Sequence, residues 1–441
     1  MVATTEDRYL APDSEAARLY ARAKQVMPGG NTRTTVYQKP YPPYATRGVG
    51  QRVYDADGSE RIDFINNYTA LIHGHADPDI NAAVIEQLQF GTAFALPTEQ
   101  EVGLAEMLCA RIPSLERVRF TNSGSEAVML AVKGARAYTG RPKIMKFEGC
   151  YHGSYDYVEV SLASTAATWG DGDPASVPYS YGAPEGMLND VIVSHYNDVA
   201  TTERLIEQHR HELAAVLVDP MPMRAGMAMG SAPFLGRIRE LTQQYGIVLI
   251  FDEVISLRLG YGGAQADLGI TPDMTTMAKI IGGGFPVGAF GGSAEVMSVF
   301  DPSQGYPKAP HGGTFNANPI TMTAGRVAME KLTPAAFARM NELGTALREG
   351  LAEAMDAARQ PGQVTGGGSL FSIHMHDRPI VDYRSSLATP EETAKMTEVH
   401  QGLLSRGIFC APTLAGTLST PMDEADVNAF VSAFAESLGV G

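Results

Sequence analysis

Cysteine is scarce in this chain. Cys109, Cys150 and Cys410 are the only three among 441 residues, an odd and sparse set that builds no disulfide framework and has no metal-site spacing. A reducing compartment, the cytoplasm, is therefore expected, and no metal. Positive charge is also in short supply: 34 Lys and Arg stand against 49 Asp and Glu, a formal net charge of −15. Binding nucleic acid by counterion release needs the opposite balance, so no nucleic-acid partner is expected. Long apolar runs are missing too. The stretch around 248–251 is far too short to span a bilayer, and the opening MVATTEDRYLAPDSEAARLY carries acids but no apolar leader segment. No membrane role is expected. Internal repeats and low-complexity segments are absent, and Trp169 is the single tryptophan. With 44% hydrophobic and 19% charged residues, the composition is that of a globular enzyme long enough for a large core and two domains.

Apolar residues at helical spacing predict a helix over 14–26, stopped by Met27-Pro28-Gly29-Gly30. In RVYDADGSERIDF, Asp57-Gly58 sits between two strand-like runs, a hairpin signal. From about Asp77, helical runs alternate with short apolar runs at 118–120, 144–147, 214–218, 247–251 and 287–291. Runs apolar on both faces predict parallel strands covered by helices, hence an α/β fold with ligands at the strands' carboxyl ends. Past about Ala324, a long helix leads into a smaller α+β region, where 364–368 reads as a loop and 371–375 as a strand. The domain plan is a large domain over 61–324 with a mostly parallel central sheet. Both chain ends, 1–60 and 325–441, make a small α+β domain.

Five segments at strand ends carry chemistry. In YGIVLIFDEV an apolar strand runs into Asp252 and Glu253. A carboxylate there is costly without a partner, and one such partner is the pyridinium nitrogen of pyridoxal 5′-phosphate, which an ionised Asp keeps protonated. Read alone, Asp252 is equally a helix cap or a surface acid. In TTMAKIIGGGFPVGAFGG, Lys279 lies among apolar residues, 27 positions after Asp252, ahead of Gly282-Gly283-Gly284. Desolvation lowers a lysine's pKa and suits it to Schiff-base chemistry with an aldehyde, although a lone lysine before glycines is usually a loop residue. In RFTNSGSEAVML, Ser123-Gly124-Ser125 opens a helix whose free N–H groups suit a phosphate. A capping box of Ser123 and Glu126 uses the same groups. In FEGCYHGSYDY, Tyr151 and His152 follow a strand end, where an aromatic face can stack on a planar ring. In PHGGTFNANP, Thr314 offers a hydroxyl to a phosphate or simply forms a turn.

Taken together and in this order, NSGSEA, YHG, FDEV, AKIIGGG and HGGTFNANP resemble the class III aminotransferases of pyridoxal-phosphate fold type I. The resemblance runs from Met27 to the C-terminus. It is nearest the branch of glutamate-1-semialdehyde aminomutases and β-amino-acid aminotransferases. It implies Lys279 as the Schiff-base lysine and proton carrier, Asp252 against the pyridinium nitrogen, Val254 beneath the ring and Tyr151 on its other face. Ser123, Gly124 and Ser125 would hold the phosphate, with His152 beside the cofactor and Thr314 donated by the neighbouring subunit of a homodimer whose active site lies at the interface. Amine and keto-acid substrates would react by a ping-pong mechanism.

Substrate choice turns on departures from the family. Arg33, in PGGNTRTTVYQKPYP, stands where β-amino-acid aminotransferases carry a carboxylate-clamping arginine, and the aminomutases' NSPVRAF-like sequence is missing. Tyr68, assigned with Arg33 to substrate binding, replaces the aminomutases' Trp. Asp219 replaces a usual Glu, Arg224 is an unexpected cation, and Thr413 falls where close β-amino-acid enzymes have a second arginine. The aminomutases' FEAGF glutamate is missing as well. Residues 153–196 form a long Gly/Pro/Ser-rich loop containing Trp169, which resembles the aminomutases' lid. The reading is a transaminase of a β-amino acid or hydrophobic primary amine with pyruvate or 2-oxoglutarate, the alternative a glutamate-1-semialdehyde-type isomerase.

Overall fold

The computed structural model describes residues 8–440. The first seven residues, part of the opening segment read as lacking a leader, lie outside the described residues. Seven strands form the central sheet in the order Arg117–Thr121, Gly288–Gly292, Met274–Ala278, Val248–Asp252, Leu213–Val218, Lys143–Phe147 and Val191–Ser194. Every pairing is parallel except those of Gly288–Gly292, which runs antiparallel to both neighbours. The strand Leu213–Val218 is buried along its whole length, as expected where helices cover both faces.

Two of the seven strands escape the sequence reading. Val191–Ser194 is only four residues long at the sheet edge, and Met274–Ala278 contains two threonines, so neither stands out as an apolar run. The first helix is Glu15–Ala23 with Ser14 as its cap, shorter than 14–26. The expected long helix is two, Pro319–Lys331 and Pro334–Ala358. Part of the 364–368 loop belongs to a strand, Gln363–Thr365, antiparallel to Leu370–His374.

The chain ends meet in one of the two remaining sheets. The hairpin Arg52–Asp55 and Glu60–Asp63 forms as its turn residues predict, and Ile408–Phe409 adds in parallel to Glu60–Asp63. Phe64, Phe371 and Phe430, all fully buried, hold this region together. Their ring centroids lie 4.7 Å apart for Phe64 and Phe430 and 5.3 Å for Phe371 and Phe430. Phe430→Ala empties the centre of that cluster and is expected to cost about 3–5 kcal/mol, seen as an earlier midpoint in urea unfolding.

Candidate active site

Strand ends converge at one point of the central sheet. Asp252 is the last residue of its strand and pairs in register with Thr276, three residues before Lys279. The Asp252 carboxylate is nearly buried, and three donors hold it. His152 Nδ1 lies 2.7 Å from Oδ2, while the Val254 N–H and the Thr276 hydroxyl donate to Oδ1 at 3.1 and 3.2 Å. Since a carboxylate accepts, His152 Nδ1 carries the proton, and burial pushes this imidazole's pKa down despite its acidic partner. Its buried Nε2 has no hydrogen-bond partner among the described residues. His152 thus orients the carboxylate. Thr276, on the strand missed in the sequence, is a further support.

Lys279 follows directly on the strand Met274–Ala278 with a left-handed φ of 54°. It keeps some exposed surface, yet the atoms packed around its amine push the pKa down to about 8, against the opposing pull of Asp252 and Asp219. Burial, reinforced by the Asp252 charge, holds the Asp219 carboxyl well above the usual range. Its Oδ1 accepts the Met221 N–H at 2.9 Å. Glu253, which follows Asp252 in the FDEV motif, has a separate role: it accepts from the Ala264 and Gln265 backbone and from Gln265 Nε2. Burial raises its pKa to about 7.

A helix N-terminus meets these groups. The helix Gly124–Thr139 is capped by Ser123, whose Oγ accepts the Glu126 N–H at 3.2 Å. The return bond of the expected capping box goes instead from Asn122 N–H to Glu126 Oε2, at 2.7 Å. A Cβ at Gly124 would stand 3.1 Å from Val254 Cγ2 and 3.4 Å from Ala278 Cβ. The bare glycine therefore brings the helix start against the ends of both the Asp252 and the Lys279 strands. Ser125 Oγ accepts the Ser154 N–H at 3.1 Å. A helix start, a buried carboxylate and a lysine of depressed pKa thus lie together; a helix N-terminus suits an anion, so the donor set fits a phosphorylated aldehyde with a basic ring nitrogen.

Four further predicted residues, Tyr151, Thr314, Arg33 and Tyr68, keep exposed surface within the chain. Tyr151 is about half exposed. Thr314 is exposed and lines a groove with Phe94, Pro97 and Asn316, and Asn316 Oδ1 accepts from Asn122 Nδ2, beside the helix start, at 2.7 Å. Arg33 lies with Tyr68: its guanidinium carbon is 5.7 Å from the Tyr68 ring centroid, and Nη1 donates to Asn67 Oδ1 at 2.9 Å. Asn66, Asn67, Tyr68 and Thr69 all have positive φ, between 48° and 75°. A left-handed residue costs about 1–2 kcal/mol, so such a run persists only where its surroundings hold it. Two asparagines in succession were the sole hint of it in the sequence.

The long loop is tethered rather than loose. Arg384 Nε donates to the buried Glu148 carboxylate at 2.6 Å and Nη2 to the Trp169 carbonyl at 2.9 Å, with the guanidinium 4.5 Å from the Trp169 ring centroid. Ser164 Oγ donates to Glu148 at 2.7 Å, and the Tyr383 hydroxyl to the Ser164 carbonyl at 3.0 Å. Because Trp169 is the only tryptophan, its fluorescence reports on this tether alone. Arg384→Met is expected to shift the emission to longer wavelength and lower its anisotropy as water reaches the indole. Arg224, flagged as an unexpected cation, is exposed.

Known proteins place this geometry. The profile described as Aminotransferase class-III matches residues 35–418. This chain belongs to the class III aminotransferases. It is accordingly a pyridoxal-phosphate-dependent aminotransferase of fold type I. Among solved structures, an omega-transaminase from Sphaerobacter thermophilus is 62% identical with a TM-score of 0.97, covering 98% of this chain and 99% of that one. A β-phenylalanine aminotransferase from Variovorax paradoxus is 37% identical with a TM-score of 0.88, covering 97% and 95%. A glutamate-1-semialdehyde 2,1-aminomutase from Heliobacterium modesticaldum is 37% identical over 430 residues, 96% of each chain. This aminotransferase has no helix among its described residues long and apolar enough to cross a membrane, and no cluster of described side chains suited to hold a metal.

Proposed function

We propose that this aminotransferase takes the amino group from a β-amino acid or a hydrophobic primary amine and passes it to a keto acid, pyruvate or 2-oxoglutarate, in two half-reactions. The observation that carries the reading is Arg33. Its guanidinium is presented over Tyr68 and pairs with no carboxylate among the described residues, leaving its fork available to a substrate carboxylate. Bound cofactor supplies the electron sink that makes the substrate's C–H acidic. The chain's own residues do the rest. Lys279 anchors the cofactor and carries the proton, Asp252 faces the ring nitrogen under His152, Val254 and Tyr151 flank the ring, and Ser123, Gly124 and Ser125 hold the phosphate.

The same reading places these groups in a large domain over 61–324, with a small domain from 1–60 and 325–441. It makes the active unit a homodimer in which Thr314 reaches the partner's phosphate. The groove beside Thr314 supports that arrangement, for Leu96 and Phe315 at its side are 75% and 60% exposed, the mark of a surface meant to be covered. Three free thiols fit the cytoplasm.

The first experiment adds β-phenylalanine, without any keto acid, to the cofactor-loaded enzyme and follows its visible absorption. Bleaching of the band supports the β-amino-acid reading, and an unmoved band overturns it. The isomerase alternative is favoured by the aminomutase relatives. It predicts conversion of glutamate-1-semialdehyde without any added acceptor, whereas the transaminase needs one for turnover.

A further inference from the structure

The left-handed turn from Asn66 to Thr69 is held from within and presents its outer residues to Arg33. Asp63 Oδ1 accepts the N–H groups of Ile65 and Asn66 at 2.8 and 2.9 Å. The Asn66 side chain donates to the Thr417 carbonyl at 2.9 Å. At the other end, Arg258 donates through Nη1 to the Thr69 carbonyl at 2.9 Å. Arg258 is itself wholly buried without a carboxylate partner among the described residues, its remaining bonds going to the Ser369 hydroxyl and the Leu418 carbonyl. A buried cation satisfied by neutral acceptors is a costly support, and one of its three bonds holds this turn. On the outer side, the Tyr68 hydroxyl donates to the Thr35 carbonyl at 2.6 Å, tying the turn to the segment that follows Arg33.

We propose that Asn67 is a positioning residue, which the left-handed turn holds against Arg33 so that the guanidinium favours amines bearing a carboxylate over those without one. This rests on the reading of Arg33 as the carboxylate clamp. An amide oxygen suits the task. It orients one N–H of the guanidinium by a hydrogen bond yet leaves the positive charge whole, whereas an aspartate at the same position would neutralise it. Asparagine also tolerates positive φ better than most residues, so one side chain serves both the turn and the clamp.

Three variants of the cofactor-loaded enzyme test this: Arg33→Ala, Asn67→Gly and Asn67→Asp. Glycine keeps the left-handed backbone and deletes the amide, while aspartate keeps the shape and adds charge. The probe is 3-phenylpropanoate, a carboxylate with no amino group to react, titrated by calorimetry. Alongside it, kcat/KM is measured for β-phenylalanine and for 1-phenylethylamine. Asn67→Asp should weaken 3-phenylpropanoate by on the order of tenfold or more and Asn67→Gly by several-fold, given the strength of a hydrogen bond to a charged group. The kcat/KM ratio of β-phenylalanine to 1-phenylethylamine should fall in the same order. If Arg33→Ala loses the probe but both Asn67 variants bind it like the parent, the positioning role is wrong and the clamp stands. If Arg33→Ala itself changes neither binding nor ratio, the clamp reading fails, and the inference with it. Equal losses on both amines with the ratio unmoved would make the turn purely structural and overturn the proposal.

Discussion

Lys279→Ala is expected to remove transamination, with turnover falling by about 10⁴-fold, the upper end of what a positioned proton carrier contributes. Folding should be unaffected. Alanine meets the same left-handed backbone strain as lysine at φ 54°, and the lysine ammonium makes no hydrogen bond or salt bridge to another described residue whose loss would weaken the structure. An unchanged thermal midpoint would separate lost chemistry from lost fold. The same amine sets a pH dependence. Burial lowers its pKa to about 8, Asp252 and Asp219 pull it back up, and Arg258 pushes it further down. Only the neutral amine has a lone pair to bond a carbonyl carbon or take a proton. Uptake of pyridoxal phosphate by the apoenzyme, followed by absorbance, should therefore speed up as the pH rises through about 8 and level off above it. That step should vanish in Lys279→Ala. Near-parental activity in the variant would overturn the role given to Lys279.

Asp252→Asn is the second large effect. The carboxamide has the carboxylate's size, and its oxygen can still accept from Val254 and Thr276, which now donate at 3.1 and 3.2 Å. What it loses is the charge proposed to face the ring nitrogen. Removing one preorganised electrostatic partner of this kind typically costs about 10²–10³-fold in kcat, and that is the expected loss at saturating amine and keto acid. His152 would sit 2.7 Å from a neutral group instead of a carboxylate, so the absorption maximum of bound cofactor should move as well. A variant with parental kcat and spectrum would remove Asp252 from the chemistry.

Most of the strand ends and helix start that meet at the candidate site were legible in the sequence because their signals are local. Apolar runs ending in FDEV, a lysine ahead of three glycines, and a serine-glycine-serine helix start each mark a strand end or cap through neighbouring residues alone. The strand leading into Lys279 was missed because Met274–Ala278 takes its burial from its position inside the sheet and not from its composition. His152 was read as a neighbour of the cofactor. That it grips Asp252, a hundred residues away, depends on two strand ends folding side by side.

The sequence by itself determined the α/β class and the family, and it singled out the lysine and carboxylate proposed for the chemistry, since each rests on short-range pattern and motif. Tertiary structure alone decided how those groups are supported. Burial depressed the pKa values of Lys279 and His152, long-range pairing joined Arg258 to Thr69 and Arg384 to Glu148 and Trp169, and four left-handed residues brought Asn67 to Arg33. These are interactions between residues far apart in the chain, and no local propensity encodes them: backbone strain of this kind survives only when distant atoms hold it in place.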